Sequence, residues 1–101
     1  MKPVRVQISG DSMWPTYPCG TLFSLHPFDP GQPLVGDVVL TIHPFHPEVQ
    51  IVKRVQSIEE DMVFLVGDNP DPTASDDSHN FGQVHRDELL GKCIPMDEHI
   101  E

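Results

Sequence analysis

Basic residues are scarce in this chain. Lysine and arginine total 6 against 16 aspartates and glutamates, a formal net charge of −10 with histidine neutral. Phosphate recognition needs a cationic footprint, so nucleic acid is not an expected partner. Docking on an anionic membrane surface is disfavoured for the same reason. Long apolar runs are missing too. No stretch approaches the roughly 18 to 20 apolar residues that span a bilayer, and no charged segment followed by an apolar one marks a signal peptide. The sequence therefore reads as soluble and cytoplasmic, with no integral membrane segment. Cysteine is limited to Cys19 and Cys93, and free thiols are the expectation in a reducing compartment. No set of Cys and His at metal-ligand spacing is present, so neither a metal nor a cofactor is expected.

Proline and glycine, by contrast, are plentiful: 11 and 7 in 101 residues. Both interrupt helices. The length suits one domain over residues 1–101 with one modest core. Between the breaks lie short runs rich in Val, Ile, Leu and Phe: "PVRVQIS", "TLFSLHPF", "GDVVLTIH", "EVQIVKRVQSI" and "DMVFLVGD". A final "ELLGKCIPM" reads as a short helical turn before another strand. Such spacing predicts an all-β domain of small antiparallel sheets, or a partly open barrel, with little helix. Two segments, 26–37 and 67–82, read as long loops of the kind that carry function or move.

Two residues invite chemistry. Ser12 stands in "QISGDSMWPTYPCG", a tight turn whose Gly10 permits close backbone approach. Serine is a weak nucleophile until a base takes its proton, and lysine can serve as that base. In "EVQIVKRVQSI", strand alternation puts Val49, Ile51, Lys53, Val55 and Ser57 on one face and Gln50, Val52, Arg54 and Gln56 on the other. The first face is the apolar one, so Lys53 is carried inward and Arg54 outward. Two outcomes are open to Lys53. It snorkels its amine to solvent, or burial lowers its pKa and leaves it a neutral base near pH 7.

At these residues the chain resembles the type I signal peptidases. "SGDSMWPT" is similar to their nucleophile box, "VGDVVL" (35–40) to the strand that follows, and "IVKRV" (51–55) to their lysine box. "GDNPDPTASDDSHNFG" (67–82) resembles their closing box. The four boxes occur in order over about 80 of the 101 residues. The resemblance implies a Ser/Lys hydrolase on the fold shared with self-cleaving LexA-type repressors. Ser12 would be the nucleophile and Lys53 the general base. Ser75 would hydrogen-bond and orient the lysine amine, and Asp77 would brace that loop. Gly67, Asp68 and Asn69 would form the turn near the site, while Met13 and Pro15 would fix the backbone presenting Ser12.

The chain departs from that pattern in several places. His79 stands where the family has arginine, so its pairing with Asp77 is expected to depend on pH. The loop before Ser75 is two residues longer, and Gly10 stands where some members place an oxyanion-hole serine, which leaves backbone donors. Neither a membrane anchor nor a second β-domain is expected. A minimal soluble member is similar to the maturation proteases of nickel-type superoxide dismutases, which implies a precursor protein as partner: an N-terminal propeptide would be removed from the dismutase proform. Two alternatives stand beside this: a signal peptidase without its anchor, and a non-catalytic LexA-like regulatory or binding domain. A metal module built on His43 and His46 in "HPFHP" is disfavoured, because the two lie between prolines and read as exposed loop histidines.

Overall fold

The structure, a computed structural model, describes residues 4–96; the remainder of the 1–101 domain lies outside the described residues. It is a single antiparallel sheet of seven strands, curled into a half-barrel. In chain order the strands are β1 (Val4–Gln7), β2 (Leu22–His26), β3 (Val38–Ile42), β4 (Gln50–Glu59), β5 (Met62–Val66), β6 (Val84–His85) and β7 (Leu89–Pro95). Their order across the sheet is β1-β2-β7-β3-β4-β5-β6. Helix is confined to α1 (Ser78–Phe81) and two 3₁₀ turns, Pro72–Ala74 and Arg86–Glu88. The second turn precedes the last strand, as expected, but lies earlier than expected: of "ELLGKCIPM" it holds Glu88 alone, and Leu89–Pro95 is strand. The all-β, little-helix architecture expected from the sequence is thus present, as one continuous sheet.

The curl has local causes. Register shifts occur between Leu40 and Thr41 on β3 and between Val55 and Ser57 on β4, and an extra residue on one strand bends it and increases its twist. Curling covers both faces of the central strands. Val38, Leu40 and Val52 face a cluster with Ile8, Met13, Phe23 and Cys93. Val39 and Val55 face another with Val63, Leu65, Phe81, Val84 and Leu89. This explains the unbroken "VVLTI" of β3, since a strand buried on both faces needs no polar alternation. Each fully buried large side chain, such as Phe23 or Leu65, contributes about 1.5–3 kcal/mol. Cys19 and Cys93 are both free thiols, and burial pushes that of Cys93 up to about 12.

Two of the sheet's open strand edges come together at one side of the half-barrel. β1 ends the sheet, pairing with β2 alone. β5 joins β4 from Arg54 onward, so Gln50–Lys53 is paired on one side only, with β3. Ile8 exchanges hydrogen bonds with Thr21 and Gly20, and Val55 with Asp37 and Gly36. Backbone groups alternate sides along an antiparallel strand. Arg5 and Gln7 on β1, and Gln50 and Val52 on β4, therefore direct their N–H and C=O groups to the open edges. Both edges line one cleft of about 480 Å³.

Candidate active site

The cleft brings together the two residues singled out by chemistry. Ser12, in the turn that follows β1, and Lys53, at the end of the open segment of β4, both line it, with Gly10, Asp11 and Asp76. The hydroxyl and the amine share the cleft without a hydrogen bond between them among the described residues, a looseness usual before substrate binds.

Ser12 is held by its backbone. Gly10 has a φ of 89°, the left-handed region that favours glycine. Met13 is fully buried and anchors the turn in the core, and Pro15 follows a cis Trp14–Pro15 bond. Asn69 grips the turn from the other side: its N–H donates to the Ser12 carbonyl at 2.9 Å and its Nδ2 to the Asp11 carbonyl at 2.8 Å. In a trans peptide the C=O and N–H point opposite ways. Drawing the carbonyls of residues 11 and 12 toward Asn69 therefore turns the N–H groups of Ser12 and Met13 together to the opposite side. Neither donates to a partner among the described residues. A pair of convergent N–H groups is what an oxyanion requires.

Lys53 is carried inward as strand alternation predicts, and only 4% of it is exposed. Burial pulls its amine below the ordinary lysine value, while the charges of Asp77 and Asp76 oppose that shift. Arg54 does not point freely outward as expected. With both sheet faces covered, its guanidinium packs against Asp68 in a two-point pair (Nε to Oδ1 2.8 Å, Nη2 to Oδ2 2.7 Å) and also donates to the Gly36 carbonyl. Asp68 is pulled below the usual carboxylate range mainly by Arg54. The pair ties the Gly67–Asn69 turn to β4, and hence the serine turn to the lysine strand.

The closing loop is organised by Asp77. Its Oδ1 accepts from the His79 N–H (3.0 Å) and the His79 ring Nδ1 (2.9 Å), capping α1. Its Oδ2 accepts from the Gly67 N–H (3.1 Å) and the Ser75 hydroxyl (3.2 Å). Burial alone would raise this carboxyl, but the Gly67 and His79 donors together hold it below its usual value. Ser75 thus donates to Asp77 rather than to the lysine amine it was expected to orient. Gly67 is required by close approach: a Cβ there would meet the Ser75 hydroxyl and lie 2.6 Å from the Ser12 carbonyl.

Two residues were not foreseen. His43 was expected as an exposed loop histidine, yet it is 4% exposed at the end of β3. Its Nδ1 accepts from the Phe45 N–H at 3.0 Å and its Nε2 meets Asp76 Oδ2 at 2.7 Å. No group of three or more metal-ligating side chains exists among the described residues.

No family model matches the chain, and no curated protein matches its sequence. Among the described residues, no helix is long and apolar enough to cross a membrane.

Proposed function

We propose that this chain is a serine endopeptidase of the Ser/Lys class. The observation that carries the reading is the cleft itself: a serine in a clamped turn and a buried lysine share its lining beside two open strand edges. An extended peptide laid between β1 and β4 would add strand hydrogen bonds to both. Neutral Lys53 takes the proton of Ser12 Oγ, and the oxygen attacks the scissile carbonyl. The N–H groups of Ser12 and Met13 hold the oxyanion. The lysine ammonium then protonates the leaving amine, and water releases the acyl group from Ser12.

The particular substrate we infer is the precursor of a nickel-type superoxide dismutase, losing a short N-terminal propeptide in the cytoplasm. The likeness of the serine, lysine and closing boxes to those of type I signal peptidases, in described residues with no helix long and apolar enough to cross a membrane, supports this, as does a cleft flanked by two open strand edges.

Co-expression with such a precursor, followed by the mass of the new N-terminus, tests both steps. Ser12→Ala and Lys53→Ala should each abolish processing and leave the fold intact. Normal processing by either variant refutes the dyad. Ser12-dependent cleavage of a secretory preprotein, with the dismutase precursor left whole, favours the signal peptidase alternative. A peptide-binding domain would use the same two open edges, and equal peptide affinity of wild type and Ser12→Ala with no cleavage by either would select it.

A further inference from the structure

Asp76 is the charged residue that the closing loop contributes to the cleft lining. It lines the cleft with Lys53 and Ser12, and its side chain is 57% exposed. An exposed aspartate ordinarily swings through several rotamers, but both oxygens of this one are fixed. Oδ1 accepts from Asn80 Nδ2 at 3.0 Å and Oδ2 from His43 Nε2 at 2.7 Å. The histidine is itself fixed. The Phe45 N–H occupies its Nδ1, so the ring proton lies on Nε2 and is donated to Asp76. The ring packs edge-on to Phe81, centroids 5.1 Å apart, in the core behind the cleft. A buried neutral histidine aiming its only N–H at a surface carboxylate has no need of that partner for the fold's ladders or caps.

We infer that Asp76, held by His43 and Asn80, is the counter-ion for the lysine ammonium that forms during catalysis, and that His43 is the positioning residue setting its geometry. This rests on reading Lys53 as the base. When Ser12 gives up its proton, the charge appears on Lys53 in a site that disfavours it. A fixed carboxylate stabilises that charge without reorganising as the reaction proceeds. Asp77 acts on the same amine, and more strongly, but it does not line the cleft, and its oxygens accept from Gly67, His79 and Ser75. Asp11 on the serine turn and Arg5 on β1 also face the cleft. The ring of His46 lies tilted against that of His43, with centroids 4.8 Å apart.

The test separates this from the dyad itself. Lys53 is titrated by NMR of lysine labelled at Cε and Nζ, with its signal distinguished from those of Lys2 and Lys92 by its loss in Lys53→Met. In Asp76→Asn the midpoint should fall below that of the wild type, and Asp76→Glu should restore it. Kinetics should follow. In Asp76→Asn the acid limb of kcat/KM shifts to lower pH and the plateau kcat drops about tenfold, with KM unchanged. His43→Gln should move both midpoints the same way by less, since the carboxylate stays but loses its tether. An unchanged Lys53 midpoint in Asp76→Asn, with Ser12→Ala and Lys53→Ala inactive, overturns the inference and spares the dyad. A rise in KM at an unshifted midpoint likewise overturns it, and assigns Asp76 to substrate contact. Equal losses at every pH, with a lower melting temperature, reduce it to a structural role. Active Ser12→Ala would sink the dyad, while the NMR midpoints would still report whether Asp76 acts on Lys53.

Discussion

Replacing Lys53 by methionine should make the protein more stable and inactive. The lysine is buried on the sheet face occupied by Val55, and its ammonium has lost most of its water. Each pH unit by which an amine titrates below its ordinary value represents about 1.4 kcal/mol of differential interaction. The sign follows from linkage. The folded state binds this proton more weakly than the unfolded state, so the penalty is complete below the folded pKa. It is lost as the pH rises from there toward about 10.4, the ordinary lysine value. Methionine fills a similar volume with no charge to bury. Asp76 and Asp77 would not be stranded, since the first keeps His43 and Asn80 and the second keeps its four donors. Substituting apolar residues for buried ionic groups is commonly stabilising by about 1–4 kcal/mol, and each kcal/mol raises the melting temperature of a domain this size by about 4–8 °C. Thermal unfolding followed by circular dichroism from pH 6 to 10 measures the difference. Lys53→Met should melt higher by at least about 4 °C at pH 7, and the gap should close toward pH 10. A lower melting temperature at pH 7, or a gap that does not shrink with pH, refutes the argument that Lys53 is a strained, desolvated base.

Removing its partner from Asp68 should act in the opposite direction. Arg54→Ala leaves a carboxylate with only 13% of its side chain exposed, and lost charge-assisted hydrogen bonds cost about 1.5–3 kcal/mol. Because Arg54 depresses the folded pKa of Asp68, that stabilisation is present above the ordinary carboxylate value of about 3.9. It is lost as pH falls through the folded pKa, so denaturant midpoints of variant and wild type should converge in strong acid. Asn69→Ala frees the Asp11 carbonyl and loosens the paired N–H groups; kcat should fall about tenfold, with KM nearly constant, when peptide cleavage is followed. Activity of the wild type should rise with pH as Lys53 loses its proton, and the limb should lie below the ordinary lysine value; a flat profile from about pH 5 to 9 removes lysine as the base.

The parts legible in the sequence were those set by local period and local turn chemistry. Alternation along β4 carried Lys53 inward, and the spacing of apolar runs between prolines and glycines marked every strand of four residues or more. Alternation put its neighbour on the opposite face but did not show that it would be tied down there. Arg54 reads as outward on a sheet with one wet face, but the two bulges curl this sheet until both faces are covered, and the guanidinium is tied to Asp68 and the Gly36 carbonyl. The His43–Asp76 contact joins residues 33 apart in sequence and exists only because the closing loop folds over the end of β3. No periodicity announces it. The proline-flanked "HPFHP" even argues for exposure, since a histidine core is built by Phe81, which arrives on a helix of four residues. An element that short, like the two-residue β6, has no pattern to read. Ser75 was placed by motif position, and a motif specifies neighbours in sequence rather than the acceptor that a hydroxyl finally meets.

The open edges lend themselves to a test in which adjacent residues give opposite results. Gln50 and Ile51 follow one another on β4, yet their backbone N–H groups point to different sides. The N–H of Ile51 faces β3, where Ile51 opposes Thr41. That of Gln50 faces the cleft and has no partner among the described residues. Proline removes an N–H and is tolerated where that group belongs to a free edge. Ile51→Pro should therefore break the ladder, lowering stability by at least about 1–3 kcal/mol. Gln50→Pro should leave the denaturant midpoint close to that of Gln50→Ala, which controls for the side chain. If a peptide substrate pairs with this edge, Gln50→Pro forfeits one intermolecular hydrogen bond worth about 0.5–1.5 kcal/mol, which raises KM roughly two- to tenfold over Gln50→Ala. Identical KM values for those two variants would mean that substrate does not lie along β4. The dyad would then have to be reached from β1 alone, where Arg5 and Gln7 present the other free strand edge lining the cleft among the described residues.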